Sequence, residues 1–137
     1  MELRELARGI HPAILTEEGL PAALESLAER SLVPVRVEAN VGRRFDPTIE
    51  VTAYYVVSEA LQNVQKYARA DAATVRAEQR DGRLTIDVSD DGVGGADVTG
   101  GSGLRGLIDR VSAVGGELWI YSPNGGGTRL TVELPGG

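Results

Sequence analysis

Ala72-Ala73-Thr74-Val75-Arg76-Ala77-Glu78-Gln79-Arg80-Asp81-Gly82-Arg83-Leu84-Thr85-Ile86-Asp87-Val88-Ser89-Asp90 alternates apolar and polar residues on both sides of an Asp-Gly pair. Ala73, Val75 and Ala77 share one face before the pair, and Leu84, Ile86 and Val88 resume it afterwards. Period-two alternation marks half-buried strands, and Asp-Gly between two such runs marks a hairpin turn. One face of this hairpin therefore needs cover.

Strands and helices flank it. Upstream, Val35-Arg36-Val37-Glu38-Ala39 alternates in the same way; downstream, Leu118 and Ile120 form one apolar row and Leu130, Val132 and Leu134 another, joined through the turn residues Pro123 to Gly127. Asp46-Pro47 reads as an N-cap followed by proline at the first helical position, opening the longest helix, from Thr48 to about Ala70. Leu3, Leu6 and Ile10 have helical spacing up to Pro12, a second helix is expected from Thr16 to about Ser31, and Leu104 to Val114 reads as a helix closed by Gly115-Gly116. Helices on one side of an alternating sheet predict a two-layer α/β sandwich.

Composition narrows the function. Twenty acidic against 14 basic residues leave a formal charge of -6, which offers no electrostatic footprint for direct nucleic-acid binding. Without cysteine there is no disulfide framework and no thiolate metal cluster. No apolar run reaches the roughly 20 residues of a membrane span, and the charged opening Met1-Glu2-Leu3-Arg4-Glu5 is unlike a signal peptide. A soluble, cytoplasmic piece is expected, compatible with a longer, membrane-anchored protein.

Most of the 18 glycines lie after position 90, around the residues that suggest chemistry. Continuing the alternation of Leu84, Ile86 and Val88 places Asp90 on the inward side, unless the strand stops at Val88 and Asp90 merely opens a turn. In Asp90-Asp91-Gly92-Val93-Gly94 the two glycines would let a flat ring approach the backbone beside an acceptor-only carboxylate. Such an acceptor suits the amine of adenine rather than the carbonyl of guanine. Gly101-Ser102-Gly103 stands directly before the helix expected at Leu104, whose free N–H groups suit phosphate. That segment also spells G-x-G-x-x-G, but no strand feeds it and no acidic residue follows at the required distance, so a dinucleotide fold is rejected. No G-x-x-x-x-G-K-[ST] string occurs, which excludes a P-loop. The run from Gly95 to Gly100 reads as a mobile lid or a long connection. On the long helix, with about 100° per residue and Glu59 as zero, Asn63 falls near ~+40° and Lys66 near ~-20°. The three form a polar stripe at the edge of the face made by Ala53, Val56, Val57, Ala60 and Val64.

These motifs resemble, in order, those of sensor histidine kinases. Ser58-Glu59-Ala60-Leu61-Gln62-Asn63-Val64-Gln65-Lys66-Tyr67-Ala68 looks like the N box, Asp90 to Gly94 like the first glycine box, Gly101-Ser102-Gly103-Leu104 like the second, and Gly126-Gly127-Thr128-Arg129-Leu130-Thr131-Val132 like the closing glycine-threonine segment. Gly103-Leu104-x-Gly106-Leu107-x-x-Arg110 followed by Gly115-Gly116 is most similar to the NarL-type branch, whose partners are DNA-binding response regulators. The resemblance implies a Bergerat-type ATP-binding fold with a mixed, mainly antiparallel sheet, residues 1–32 being the end of a dimerisation region and 33–137 the ATP-binding domain. It implies ATP and Mg2+ as ligands, with Asn63 on the metal, Lys66 on phosphate, Asp90 on the adenine amine and Glu59 as the base. Gly92, Gly94, Gly101, Gly103 and Leu104 would line pocket and lid, and Thr128 would close it near the base. Tyr67 stands where a histidine is usual, which puts only a minor contact in question.

His11 is the chain's one histidine, yet Pro12 follows it where the acceptor motif has an acidic residue. The resemblance therefore places the phosphoacceptor upstream, on helices of the same kinase, in a protein that acts as a homodimer and passes phosphate to a response regulator; the fragment alone would be a monomer that does not phosphorylate itself. Two other readings stay open: an anti-sigma-factor serine kinase, against which the opening helices argue, and a module that senses nucleotide without transferring phosphate.

Overall fold

The computed structural model describes residues 13–42, 44–64, 72–92, 102–122 and 127–135. They form, in chain order, α1 (Ala13–Glu18), α2 (Leu20–Glu29), β1 (Val35–Asn40), α3 (Pro47–Asn63), β2 (Ala73–Arg80), β3 (Arg83–Asp90), α4 (Ser102–Ala113), β4 (Glu117–Tyr121) and β5 (Thr128–Leu134). The strands make one sheet in the order β1-β2-β3-β5-β4, with β1 and β2 parallel and every other neighbour antiparallel. This is the expected mixed, mainly antiparallel sheet under helices on one face.

The inward residues of the alternating runs are those the core buries. Val75, Ala77, Leu84, Ile86, Val88, Leu130, Val132 and Leu134 pack in one cluster with Ala53, Val56, Val57 and Ala60 of α3, Leu107 and Val111 of α4, and Leu15, Leu20 and Leu24 of the first two helices. The opposite sheet face is polar and cross-linked by ion pairs, among them Arg129–Asp87 at 2.6 Å and Arg83–Glu133 at 3.1 Å. Trp119 and Tyr121 stand on that outer face, 50% and 72% exposed.

Capping sets the helix ends. Asp46 accepts a hydrogen bond from the Thr48 N–H at 2.9 Å and Pro47 follows, as the sequence indicated. At the end of α4, the Gly116 N–H bonds the Val111 carbonyl at 2.9 Å and the Gly115 N–H the Ser112 carbonyl at 3.0 Å, with Gly115 at φ 81, a Schellman motif. Two boundaries differ from expectation. The helix expected from Thr16 is split at Gly19, whose φ 96 and ψ 178 are accessible essentially to glycine alone, so Thr16 lies inside α1 rather than at a start. Helix α4 begins at Ser102, not Leu104, which puts Gly103 within its first turn. The described part of α3 ends at Asn63, with Val64 still helical; the expected continuation to Ala70 lies outside the described residues, as do His11 and the Gly95–Gly100 loop.

Candidate functional site

Each inward row of the sheet ends in a polar residue on the same side. Leu84, Ile86 and Val88 are followed by Asp90 on β3, Leu134, Val132 and Leu130 lead back to Thr128 on β5, and Leu118 and Ile120 lead to Ser122 just past β4. Asp90 and Thr128 are register partners, and Ile120 pairs with Leu130, so the three polar side chains stand side by side across β3, β5 and β4. All three are partly buried. The Ser122 and Thr128 hydroxyl oxygens are 2.7 Å apart, a hydrogen bond. One carboxylate oxygen of Asp90 accepts the Gly92 N–H at 2.8 Å, and the other has no partner among the described residues. The strand therefore does not stop at Val88: Asp90 is its last inward residue, and its side chain also shapes the turn that follows.

Topology brings the helix ends to this edge. Because β1 and β2 are adjacent and parallel, α3 is their crossover and must run back against them, finishing where β2 begins. β2 begins at Ala73, the register partner of Asp90. Glu59 and Asn63, one turn apart and both partly buried, thus lie in the last turns of α3 at the Asp90 end. The opposite end confirms the direction. Gly116, after α4, abuts the Glu133 carbonyl and Leu134, at the far end of β5 from Thr128. The last turns of α4 (Arg110, Ala113, Val114) share a cleft with the first turns of α3 (Pro47, Thr48, Val51, Thr52), and the Arg110 guanidinium lies 3.8 Å from the Tyr55 ring centroid. The helices are therefore antiparallel. Stepping back from Arg110 to Ser102 covers as many residues as stepping forward from Tyr55 to Asn63, so the N-terminus of α4 is level with Asn63. The N–H groups of its first turn are those of the turn beginning at Ser102, not of one starting at Leu104.

One edge of the sandwich thus gathers Glu59, Asn63, Asp90, Gly92, Thr128 and the backbone of Ser102, Gly103 and Leu104. Lys66, Gly94 and Gly101 lie outside the described residues. Sequence reasoning missed Ser122, which only the β4–β5 register exposes, and the need for Gly127. A Cβ at Gly127, whose φ is 78, would collide with the Asp90 carbonyl oxygen, so the close approach of β5 to the end of β3 depends on glycine. It also missed a second polar cluster. Glu50, 3% exposed on the first turns of α3, receives the Arg44 guanidinium at 2.9 and 3.0 Å and the Phe45 N–H at 3.1 Å. Arg44 also donates to the Leu15 and Thr16 carbonyls near the end of α1, and its guanidinium is held more firmly protonated by the hydrogen bond and the charge of Glu50.

Comparison with known proteins identifies relatives of the chain and of its fold. The chain is 35% identical over 143 residues to the oxygen sensor histidine kinase NreB of Staphylococcus carnosus, covering 98% of this chain and 41% of that protein. It is 36% identical over 141 residues to the signal transduction histidine-protein kinase/phosphatase UhpB of Salmonella typhimurium, covering 97% and 28%. The chain therefore spans well under half the length of these relatives. Among solved structures it superposes on the histidine kinase domain of the Erythrobacter litoralis EL346 blue-light activated histidine kinase with a TM-score of 0.68 at 25% identity, over 84% of this chain and 57% of that one. The Acinetobacter baumannii histidine kinase AdeS shares the fold at a TM-score of 0.64 and 13% identity, over 97% and 73%. Residues 48–137, from the first turn of α3 through the polar edge to the C-terminal residue, match the family described as histidine kinase-, DNA gyrase B-, and HSP90-like ATPase, and the chain belongs to that family.

Proposed function

We propose that this chain is the catalytic ATP-binding portion of a two-component sensor histidine kinase, which binds Mg-ATP at the polar edge and donates the γ-phosphate to a histidine other than His11. The observation that carries the reading is the end of the inward row on β3. A carboxylate replaces the apolar side chain there, with one oxygen spent on Gly92 and the other without a partner among the described residues. A partly buried acceptor of this kind favours a ligand donor that supplies the missing hydrogen bond. The adenine amine is such a donor, and Asp90 binds it. Thr128 flanks the base, and the glycines at 92, 94, 101 and 103, with Leu104, leave room for base and phosphates.

Oxygen donors are the right chemistry for magnesium, and Asn63 offers an amide oxygen at the level of the α4 N-terminus. When bound, the ion neutralises phosphate charge. Asn63 would hold it, Lys66 would add a positive charge, and the N–H groups opening α4 would bind phosphate oxygens. Glu59, one turn before Asn63, accepts the proton of the attacking imidazole as the phosphoryl group leaves the β–γ bridging oxygen and ADP departs. Positioning and charge neutralisation are the main demands of such a transfer.

The acceptor lies on dimerisation helices that precede residues 33–137, with residues 1–32 as their final segment. The whole protein works as a cytoplasmic-facing homodimer and passes phosphate to a response regulator. The greater length of the relatives supports this division. Among the described residues no helix is long and apolar enough to cross a membrane. Calorimetric titration with ATP and GTP, with and without magnesium, tests the pocket: magnesium-dependent preference for ATP supports the reading, and absence of nucleotide binding by a folded sample refutes it.

A further inference from the structure

The hydrogen bond between Ser122 and Thr128 has a polarity, and that polarity decides what the polar edge can read. Only one hydrogen lies between the two oxygens, which are 2.7 Å apart, and either hydroxyl can supply it. If Thr128 donates to Ser122, its oxygen turns lone pairs alone towards the pocket. Asp90, its register partner, is also acceptor-only when ionised. The edge would then be two adjacent acceptors, suited to a ligand with two donors. If Ser122 donates instead, the Thr128 hydrogen is released, and the edge becomes an acceptor beside a donor.

The geometry points to Ser122 as a positioning residue that sets Thr128 as a hydrogen-bond donor to the base. This inference rests on the ATP-binding reading given above. The Watson–Crick edge of adenine presents one donor, the exocyclic amine, beside one acceptor, N1. Asp90 takes the amine hydrogen and Thr128 donates to N1. Guanine presents the reverse order, a carbonyl oxygen and then N1–H, which would set its oxygen against Asp90 and its hydrogen against that of Thr128. Ser122 makes this discrimination without touching the nucleotide. Its place supports the role: it continues the inward row of Leu118 and Ile120 and is partly buried beside Thr128.

The test is calorimetric titration of the 137-residue chain and its Ser122→Ala and Ser122→Thr variants with ATP and with 1-deaza-ATP, in which C–H replaces N1. The unmodified chain is expected to prefer ATP by about tenfold, in line with one hydrogen bond of ordinary net strength. Ser122→Ala should weaken ATP several-fold and leave 1-deaza-ATP unchanged, so that the preference collapses. Ser122→Thr, which restores a hydroxyl, should restore it. A purely structural role would weaken both nucleotides equally in Ser122→Ala, and that result overturns the inference, as does an unmodified chain that binds both nucleotides equally. Failure of the unmodified chain to bind either nucleotide overturns the ATP-binding reading itself, and this inference with it.

Discussion

Asp90 and Thr128 face each other across the β3–β5 ladder on the side of the sheet that carries the core, each taking the place where the next apolar residue of its row would stand. The core thus ends in hydrogen-bonding groups at this edge, and Asp90 supplies a carboxylate among them. Replacement of Asp90 by Asn keeps the shape and the Gly92 turn but exchanges part of an acceptor for a donor. Loss of a hydrogen bond to a charged group corresponds to about 1.5–3 kcal/mol, so ATP affinity should fall by about ten- to a hundredfold. The melting temperature without nucleotide should change little. Titration and thermal melting of the same sample separate the two effects.

Asn63 and Glu59 share the last turns of α3, and substitution should separate the different roles proposed for them. Asn63→Ala is expected to abolish the magnesium dependence of ATP binding. Glu59→Gln should leave binding near normal while stopping phosphate transfer, by about 10²-fold or more if Glu59 acts as the base. Nucleotide titration with and without magnesium checks the first, and radiolabel transfer in the full-length kinase the second.

Gly127 is required by geometry rather than by its sequence neighbours. Gly127→Ala adds a Cβ at φ 78 against the Asp90 carbonyl. The backbone conformation alone costs about 1–2 kcal/mol in an L-residue, and relief of the clash moves Asp90. Both stability and ATP affinity should fall, whereas Gly82→Ala, at φ 74 with nothing near its Cβ, should reduce stability alone. Chemical denaturation alongside nucleotide titration distinguishes the two glycines.

The Arg44–Glu50 pair joins the end of α1 to the start of α3. Arg44→Met would take the cationic partner away from the buried Glu50 carboxylate, and it removes a donor to the Leu15 and Thr16 carbonyls. Removing one partner of a buried ion pair costs more than replacing both by apolar residues of similar size. The double variant Arg44→Met with Glu50→Met should therefore be more stable than Arg44→Met alone, an order that denaturant midpoints can check.

Much of this was legible from local pattern. Period two alone assigned Leu84, Ile86 and Val88 to the core and carried Asp90 inward after them, and Asp46-Pro47 marked the start of α3 because capping is a matter of adjacent residues. What stayed hidden depends on residues distant in sequence meeting in space. Ser122 looks like an ordinary turn serine until β4 pairs with β5. Glu50 reads as a first-turn acidic residue near the positive end of a helix, and only its burial beside Arg44 reveals a structural ion pair. Gly19 reads as part of a helix start, but its backbone angles make it the break between two helices.

Trp119 is the chain's single tryptophan and sits half exposed on the outer face of the sheet, behind the layer that holds the polar edge. Its indole is thus a built-in optical probe that looks away from the nucleotide. Emission excited at the tryptophan band should stay nearly silent when ATP binds, and a change in its wavelength or anisotropy would report contact at the back of the sheet instead.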